Sequence, residues 1–290
     1  MSDEAPVVYE NDTANGASDG PKQEFELYIK ASAIDKETRG SCPICHQWFM
    51  ISYLMAENQE GVNFKVFTVQ ADCPPKNFLE EGWSKKFPVV KARSCFTKLG
   101  KDISGMMYDT FEELETFFES INRDCPELKR HNAPNVGAMK CIEDLYNAFN
   151  KFLSGKSESL LITELKKLEE FLESHESKFL VDDVLSFSDC HLLPRLQHIR
   201  VAGKAYKDFD IPKEFPLVWK YLADAYEVPA FKSTLPSDQD IIYGYEKKVT
   251  GAPVRGKGPK PTLEKFTYTT TVPQEYLDNG TNHNSHDDME

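Results

Sequence analysis

Apolar and polar residues alternate along Phe25-Glu26-Leu27-Tyr28-Ile29 and again along Val62-Asn63-Phe64-Lys65-Val66-Phe67-Thr68-Val69, the period of a half-buried strand. Between these runs, from Pro43 to about Glu57, most positions are apolar, which predicts a buried helix. Pro88-Val89-Val90 reads as a short buried strand. Thr110-Phe111-Glu112-Glu113 has the spacing of a capping box and predicts a helix through about Ile121. Strand, helix, strand makes a βαβ unit, for which a right-handed crossover is expected. Further on, apolar residues recur at helical spacing. Met139, Ile142, Phe149 and Phe152 make one stripe, and Leu161, Leu165, Leu168 and Leu172 a second. Leu192, Leu193, Leu196 and Ile199 make a third, and Phe215, Val218, Trp219, Leu222 and Tyr226 a fourth. Ser186 and Asp189 have the spacing of a second capping box, which assigns them a structural role at the start of the third helix.

This pattern divides the chain into a lead-in (1–23), a mixed α/β domain (24–122), a linker (123–135), an all-helical domain (136–248) and a tail (249–290). The lead-in is polar, acidic and glycine-containing, with little to bury, and predicts disorder. The tail is rich in Pro and Gly and ends in a polar run. Within it Phe266, Tyr268, Thr270 and Val272 have strand period, which predicts pairing with a sheet edge.

Composition narrows the function. Of 290 residues, 34 are Lys or Arg and 47 are Asp or Glu, a net charge of −13. An acidic chain lacks the basic face that nucleic acid requires, so a nucleic-acid partner is not expected. The 7 cysteines are odd in number and scattered, which argues against a disulfide scaffold and for a reducing compartment. No secretory leader is visible in residues 1–22, and a cytoplasmic location is expected.

The candidate chemistry lies in Gly40-Ser41-Cys42-Pro43-Ile44-Cys45-His46, between the first strand and the first helix. Free backbone N–H groups and the positive end of the helix dipole stabilise a thiolate at such a place. Pro43 suits the first helical position, and Cys45, one turn on, is placed to close a disulfide with Cys42. Zinc binding would need a second ligand pair, and Cys73 and Cys95 are isolated, so no metal is expected. An inert structural pair and a thiol-redox or glutathione site stay open, and the strand–Cys-Pro-x-Cys–helix context favours the second. His46 is expected to face solvent. In Lys86-Phe87-Pro88-Val89 a proline opens a strand, the place where thioredoxin-like folds carry a cis proline beside the active cysteine; an ordinary edge-strand proline is the alternative. At Asp109-Thr110 a helix N-terminus offers N–H groups to a carboxylate, with plain capping by Thr110 compatible with that.

Together these pieces resemble the glutathione-transferase superfamily, a thioredoxin-like α/β N-terminal domain followed by an all-α C-terminal domain. More narrowly, Cys42-Pro43-Ile44-Cys45 with Trp48-Phe49-Met50, Phe67-Thr68-Val69, Leu185 through Pro194, and Ala205-Tyr206-Lys207 through Ile211-Pro212 resemble the chloride intracellular channel (CLIC) family, in its invertebrate branch. The resemblance implies a soluble monomer that associates reversibly with membrane lipid, is proposed to form chloride channels and supports tube and lumen formation. It implies Cys42 as the redox cysteine, with Phe87, Pro88, Asp109 and, beside them, Thr110 as glutathione contacts; Cys45 joins Cys42 in a dithiol that several members lack. A glutathione-dependent thiol–disulfide oxidoreductase and a non-enzymatic module binding membranes or cytoskeletal proteins are the alternatives.

Arithmetic on the membrane segment tempers the channel expectation. A spanning helix needs about 20 apolar residues. The apolar-rich run Pro43–Ala56 has 14, His46 and Gln47 among them. Extending it brings in Glu57, Glu60 and Lys65, and a charge at the bilayer centre costs about 2.5–3.5 kcal/mol. No Lys or Arg lies between residues 43 and 64, although anion pores present positive charge. Chloride conduction therefore rests on the resemblance alone.

Overall fold

The computed structural model describes residues 8–10, 22–74, 86–250 and 266–277. Its first part is a mixed sheet of β1 (Val8–Glu10), β2 (Gln23–Lys30), β3 (Val62–Val69), β4 (Val89–Ser94) and β5 (Met107–Tyr108), in the order β1-β3-β2-β4-β5. The period-two pattern places Phe25, Leu27 and Ile29 of β2 and Val62, Phe64 and Val66 of β3 in the core. The two strands pair in parallel from Gln23 with Val62 to Lys30 with Val69, while β4 runs antiparallel to β2. A parallel pair needs a crossover, and α1 (Pro43–Asn58) supplies it.

Helix α1 is buried along eight successive residues, Cys45 to Ser52. It has protein on every side, with the sheet on one face and the long helix α6 (Phe187–Lys207) on the other. That is why its sequence shows no polar stripe. On the sheet side, Phe25 meets the rings of Phe64, Phe117 and Phe118 at 5.7, 5.3 and 5.6 Å, and Trp48 stacks on Phe118 at 4.9 Å. Each such ring stabilises the fold by about 1.5–3 kcal/mol through burial. Phe117 and Phe118 come from α2 (Phe111–Ile121), which follows β5.

The remainder is helical: α3 (Ala133–Ile142), α4 (Leu145–Leu153), α5 (Ser159–Glu173), α6, α7 (Pro216–Tyr226), α8 (Pro229–Lys232), α9 (Asp238–Thr250) and α10 (Gln274–Leu277). Helix α6 is the axis of this half and packs on α1, α3, α4 and α9. Ser186 and Asp189 form a reciprocal box at its start: the Ser186 N–H donates to the Asp189 carboxylate at 2.8 Å and the Asp189 N–H to the Ser186 hydroxyl at 3.4 Å. The Asp189 carboxylate is buried and also accepts from the Ser186 hydroxyl, the Leu180 N–H and the Tyr221 hydroxyl. Burial raises its pKa, and these donors oppose the rise.

Four expectations are corrected. The lead-in contains a strand, β1, which pairs antiparallel with β3 around Tyr9 and Val66. The stretch expected to be linker contains a 3-10 turn, Pro126–Leu128, and α3 opens at Ala133, with a proline in its first turn. The stripe from Met139 to Phe152 spans two helices, because Glu143 and Asp144 turn the chain between α3 and α4. Tail residues 266–273 are extended but join no sheet; they lie along the helical half, where Thr267 bonds to Asp238 and Gln239. Residues 1–7 and 11–21 of the lead-in, and 251–265 and 278–290 of the tail, lie outside the described residues.

The two halves meet through polar contacts, some of them buried. The Ser32 hydroxyl and Ala33 N–H donate to Asp240 of α9 at 2.7 and 3.2 Å, and Arg39 donates to the Ser233 carbonyl. His46 Nε2 lies 2.9 Å from the Thr234 hydroxyl. That hydroxyl already donates to the Ala230 carbonyl at 2.6 Å, so His46 is the donor in the pair.

Candidate functional site

After β2 the chain makes a short loop closed by a bridge between Ala31 and Arg39, then turns at Gly40 into α1. The Gly40 N–H donates to the Lys30 carbonyl at 2.8 Å, and a Cβ at this position would lie 2.4 Å from the Ala31 carbonyl oxygen. Only glycine permits that approach, and it delivers Cys42 to the N-cap of α1 with extended backbone (φ −79°, ψ 112°) and Pro43 at the first helical position. Cys42 is half-buried and Cys45 fully buried.

The two thiols titrate in opposite directions. Cys42 is lowered to about 6, first by the hydrogen bond from the Cys45 thiol and then by the N–H groups of Cys45 and Ile44 and the charge of Lys30, against the cost of burial. Cys45 is raised well above its usual value, by burial first and by its bond to Cys42 second. At neutral pH the pair therefore holds one thiolate and one thiol, which is the arrangement of an attacking and a resolving cysteine.

The other sequence candidates gather at the same end of the sheet. Val89 pairs with Tyr28 near the end of β2, so Phe87 and Pro88 stand beside the exit toward Cys42; the Phe87–Pro88 peptide bond is cis. Tyr108 pairs with Val90, which brings Asp109 and Thr110 to that end as well. There the structure departs from expectation. The Asp109 and Thr110 N–H groups, expected to be open to a ligand's carboxylate, each donate at 3.2 Å to the carboxylate of Glu113, while the Glu113 N–H donates to the Thr110 hydroxyl. The amides of Asp109 and Thr110 are thus held by an internal carboxylate. Ser186 and Asp189 belong to the buried box of α6 and take no part in this end of the sheet. Among the described residues no cluster of three His, Cys, Asp or Glu side chains is arranged for a metal ion.

The wall opposite was not legible in the sequence. Cys42 opens into a cleft of about 370 Å³ between the two halves, lined also by Lys30, Tyr146, His198, Tyr245 and Lys248. The Tyr146 and Tyr245 hydroxyls lie 2.5 Å apart, and Tyr245 lies 2.9 Å from His198 Nδ1. Burial, with the nearby charge of Arg195, lowers His198 to about 3, so its imidazole is neutral. These residues are scattered between positions 146 and 248 without a motif, and only the packing of α4, α6 and α9 unites them. His46 is also corrected: it is 4% exposed, stacked on Phe231 at 5.6 Å, and faces the domain interface instead of solvent.

Comparison with known proteins agrees with this architecture. The family model for the CLIC-like N-terminal domain matches residues 23–91. The chain is 32% identical over 262 residues to the chloride intracellular channel Clic of Drosophila melanogaster, across 89% of this chain and 94% of that protein. It is 27% identical over 277 residues to the chloride intracellular channel exc-4 of Caenorhabditis elegans, across 87% and 89%. The crystal structure of the C. elegans CLIC homologue EXC-4 superposes with a TM-score of 0.74 at 26% identity, over 89% of this chain and 97% of that one. A dehydroascorbate reductase of Chlamydomonas reinhardtii shares the fold, with a TM-score of 0.60 at 22% identity, over 77% and 98% of the two chains.

Proposed function

Taking as premise that the chain belongs to the chloride intracellular channel family, we propose that its chemistry is thiol–disulfide exchange, carried by Cys42 and completed by Cys45. The carrying observation is the placement of the pair at the start of α1, Cys42 half-buried at the N-cap before Pro43 and Cys45 buried one turn on, with Cys42 lowered to about 6 and Cys45 raised. The Cys42 thiolate attacks one sulfur of a substrate disulfide, and the other sulfur leaves as a thiolate. Cys45 then loses its proton and attacks the Cys42 sulfur. The second half of the substrate leaves as a thiol, and a Cys42–Cys45 disulfide remains. Two equivalents of an external thiol such as glutathione return the pair to the reduced state.

Glutathione is the substrate class that the Cys42–Pro88 side suits, with Phe87, Asp109 and Thr110 as its further contacts. It must compete with Glu113 for the amides of Asp109 and Thr110. Lys30 and Lys248 give the cleft its positive charge and suit an anionic co-substrate.

A second reading is anion-channel formation, which the names of the relatives favour, with reversible association of a cytoplasmic monomer with membrane lipid and a role in tube formation following from the family resemblance. Cytoskeletal proteins are further candidate partners. Among the described residues no helix is long and apolar enough to cross a membrane. The Pro43–Ala56 run is buried between sheet and α6, so this reading requires the two halves to part.

Liposome flotation measured beside glutathione-coupled disulfide reduction, in wild type and Cys42→Ala, separates the two. Loss of reduction with retained flotation supports the redox chemistry as a separate activity. Absence of reduction in the wild type sinks the redox reading, and absence of flotation under both oxidising and reducing conditions sinks the membrane reading.

A further inference from the structure

The segment 266–277, here termed the strap, ends in the short helix α10 and lies along α6, α7 and α9, which engage every second residue from Thr267 to Thr271. The Asp238 N–H donates to the Thr267 carbonyl at 2.9 Å, Gln197 Nε2 to the Thr269 carbonyl at 2.9 Å, and Arg200 Nη2 to the Thr271 carbonyl at 2.9 Å. The side chain of Gln239 both donates to the Thr267 hydroxyl and accepts from the Thr267 N–H, each at 3.0 Å. Tyr276 closes the far end with its ring 5.2 Å from that of Trp219.

Arg200 on the receiving surface is also held by groups outside the strap. Arg200 is held by the Tyr226 hydroxyl at 2.7 Å and lies over the rings of Trp219 and Tyr226 at 4.9 and 5.5 Å. With the strap in place Asp238 is 7% exposed, and its carboxylate accepts from three groups of the strap: the Thr267 hydroxyl at 3.0 Å, the Thr269 N–H at 3.0 Å and the Thr269 hydroxyl at 2.9 Å. A buried carboxylate without such donors is strongly unfavourable. The strap itself is shallow: Thr267, Thr269 and Thr271 stay exposed as residues. Beside it a cavity of about 280 Å³, lined by Arg200, Lys204, Asp210, Asp238, Ile242 and Thr267 among others, is left unfilled. Among the described side chains of the strap, only Val272 and Tyr276 reach the hydrophobic core, and both stay partly buried.

We propose that this groove is a recognition site for extended peptide segments with threonine at two positions one residue apart, and that the strap is its tethered, exchangeable occupant. The partner is a protein segment of that kind, with an aromatic residue further along to meet Trp219. A side chain longer than threonine has room in the cavity beside Lys204 and Asp210. Phosphorylated threonine is excluded, since its dianion would face the Asp238 carboxylate. Tethering holds the strap at millimolar effective concentration, so a free peptide competes poorly until the strap is weakened.

The test titrates a fluorescent peptide of residues 264–278 into the full chain, in wild type and in T267V/T269V, where the strap loses its hydroxyls and the groove stays native. The expected result is at least tenfold tighter binding to T267V/T269V, together with faster hydrogen exchange in 266–277 and unchanged exchange in α6. Adding D238A, or phosphothreonine at the position of Thr269 in the peptide, abolishes binding. Equal binding to both forms, binding that survives D238A, or no binding to T267V/T269V overturns the proposal. Cys42 takes no part, so the outcome does not depend on the redox reading.

Discussion

Cys42 and Cys45 occupy the same turn of α1, and their opposed titration is the first thing to measure. Since the Cys42 pKa is lowered to about 6, its thiolate prevails above that pH. Its alkylation rate is expected to rise with pH through about 6 and then level off. Cys95 and Cys141, both raised to about 11 chiefly by burial, react at least tenfold more slowly at neutral pH. Mass spectrometry after timed alkylation reads all three, and a Cys42 no faster than these two would make the pair an inert remnant. Glu113 is the second residue to test. Its carboxylate occupies the amides of Asp109 and Thr110, so Glu113→Ala is expected to tighten glutathione binding roughly fivefold, the worth of about 1 kcal/mol of hydrogen bonding. Calorimetric titration that finds no change would place the ligand's carboxylate elsewhere. Cys42 and Cys45 were legible because Cys-Pro-x-Cys between strand and helix is a local signal. His46 was not: its burial against Phe231 and Thr234 depends on a helix nearly two hundred residues away, which spacing along α1 cannot report.

Among the elements, α6 depends most on one local device. Ser186→Ala removes the hydroxyl that caps the helix and donates to Asp189 at 2.6 Å, and is expected to cost about 0.5–2 kcal/mol, measured by denaturant unfolding. Asp189→Ala strands the Ser186 and Leu180 amides and the Tyr221 hydroxyl in a dry interior, and should cost more, on the order of 3 kcal/mol. Equal effects would mean that the box acts only through its serine. The strands β2 and β3, the buried α1 and both capping boxes could be read from the sequence because each declares itself within a few residues. The break at Glu143-Asp144 was hidden because apolar residues on either side happen to keep helical spacing across it. The alternation from Phe266 to Val272 does mark extended backbone, as the structure bears out, but period two says nothing of what the backbone lies against. Here it meets side chains of α6 and α9 in place of a strand.

For the molecule as a whole, acid is the revealing variable. His46 and His198 are buried in and beside the domain interface, and burial holds both well below their ordinary pKa, with Arg39 and Arg195 adding to it. Their unfolded value is about 6.5, so below that pH the unfolded chain takes up protons that the folded chain refuses. Stability from these two groups is complete above about pH 6.5 and falls by about 1.4 kcal/mol per pH unit for each as the pH drops toward the folded values. Asp189 and Asp240, carboxyls raised by burial, oppose this at lower pH, because there the folded state protonates first. His191 is lowered as well, to about 3, so urea midpoints at pH 7.5 and 5.0 are expected to differ clearly in wild type and by about two-thirds as much after His198→Phe; a midpoint indifferent to pH would refute the assignment. The fold class was legible in the sequence because an α/β half and a helical half have different periods. The interface between them was invisible, being made of single polar residues far apart in the chain. The sheet carries a further consequence at its margins. Its outer strands are only three and two residues long, β1 and β5, whereas β3 just inside is eight residues of alternating apolar positions. Short outer strands deny a neighbouring molecule a template for continuing the sheet. Residues 8–10 thus act as a guard against self-association, and a chain shortened to begin at Lys22 should fold, bare the flank of β3, and gather into growing particles visible by light scattering while the full chain stays clear.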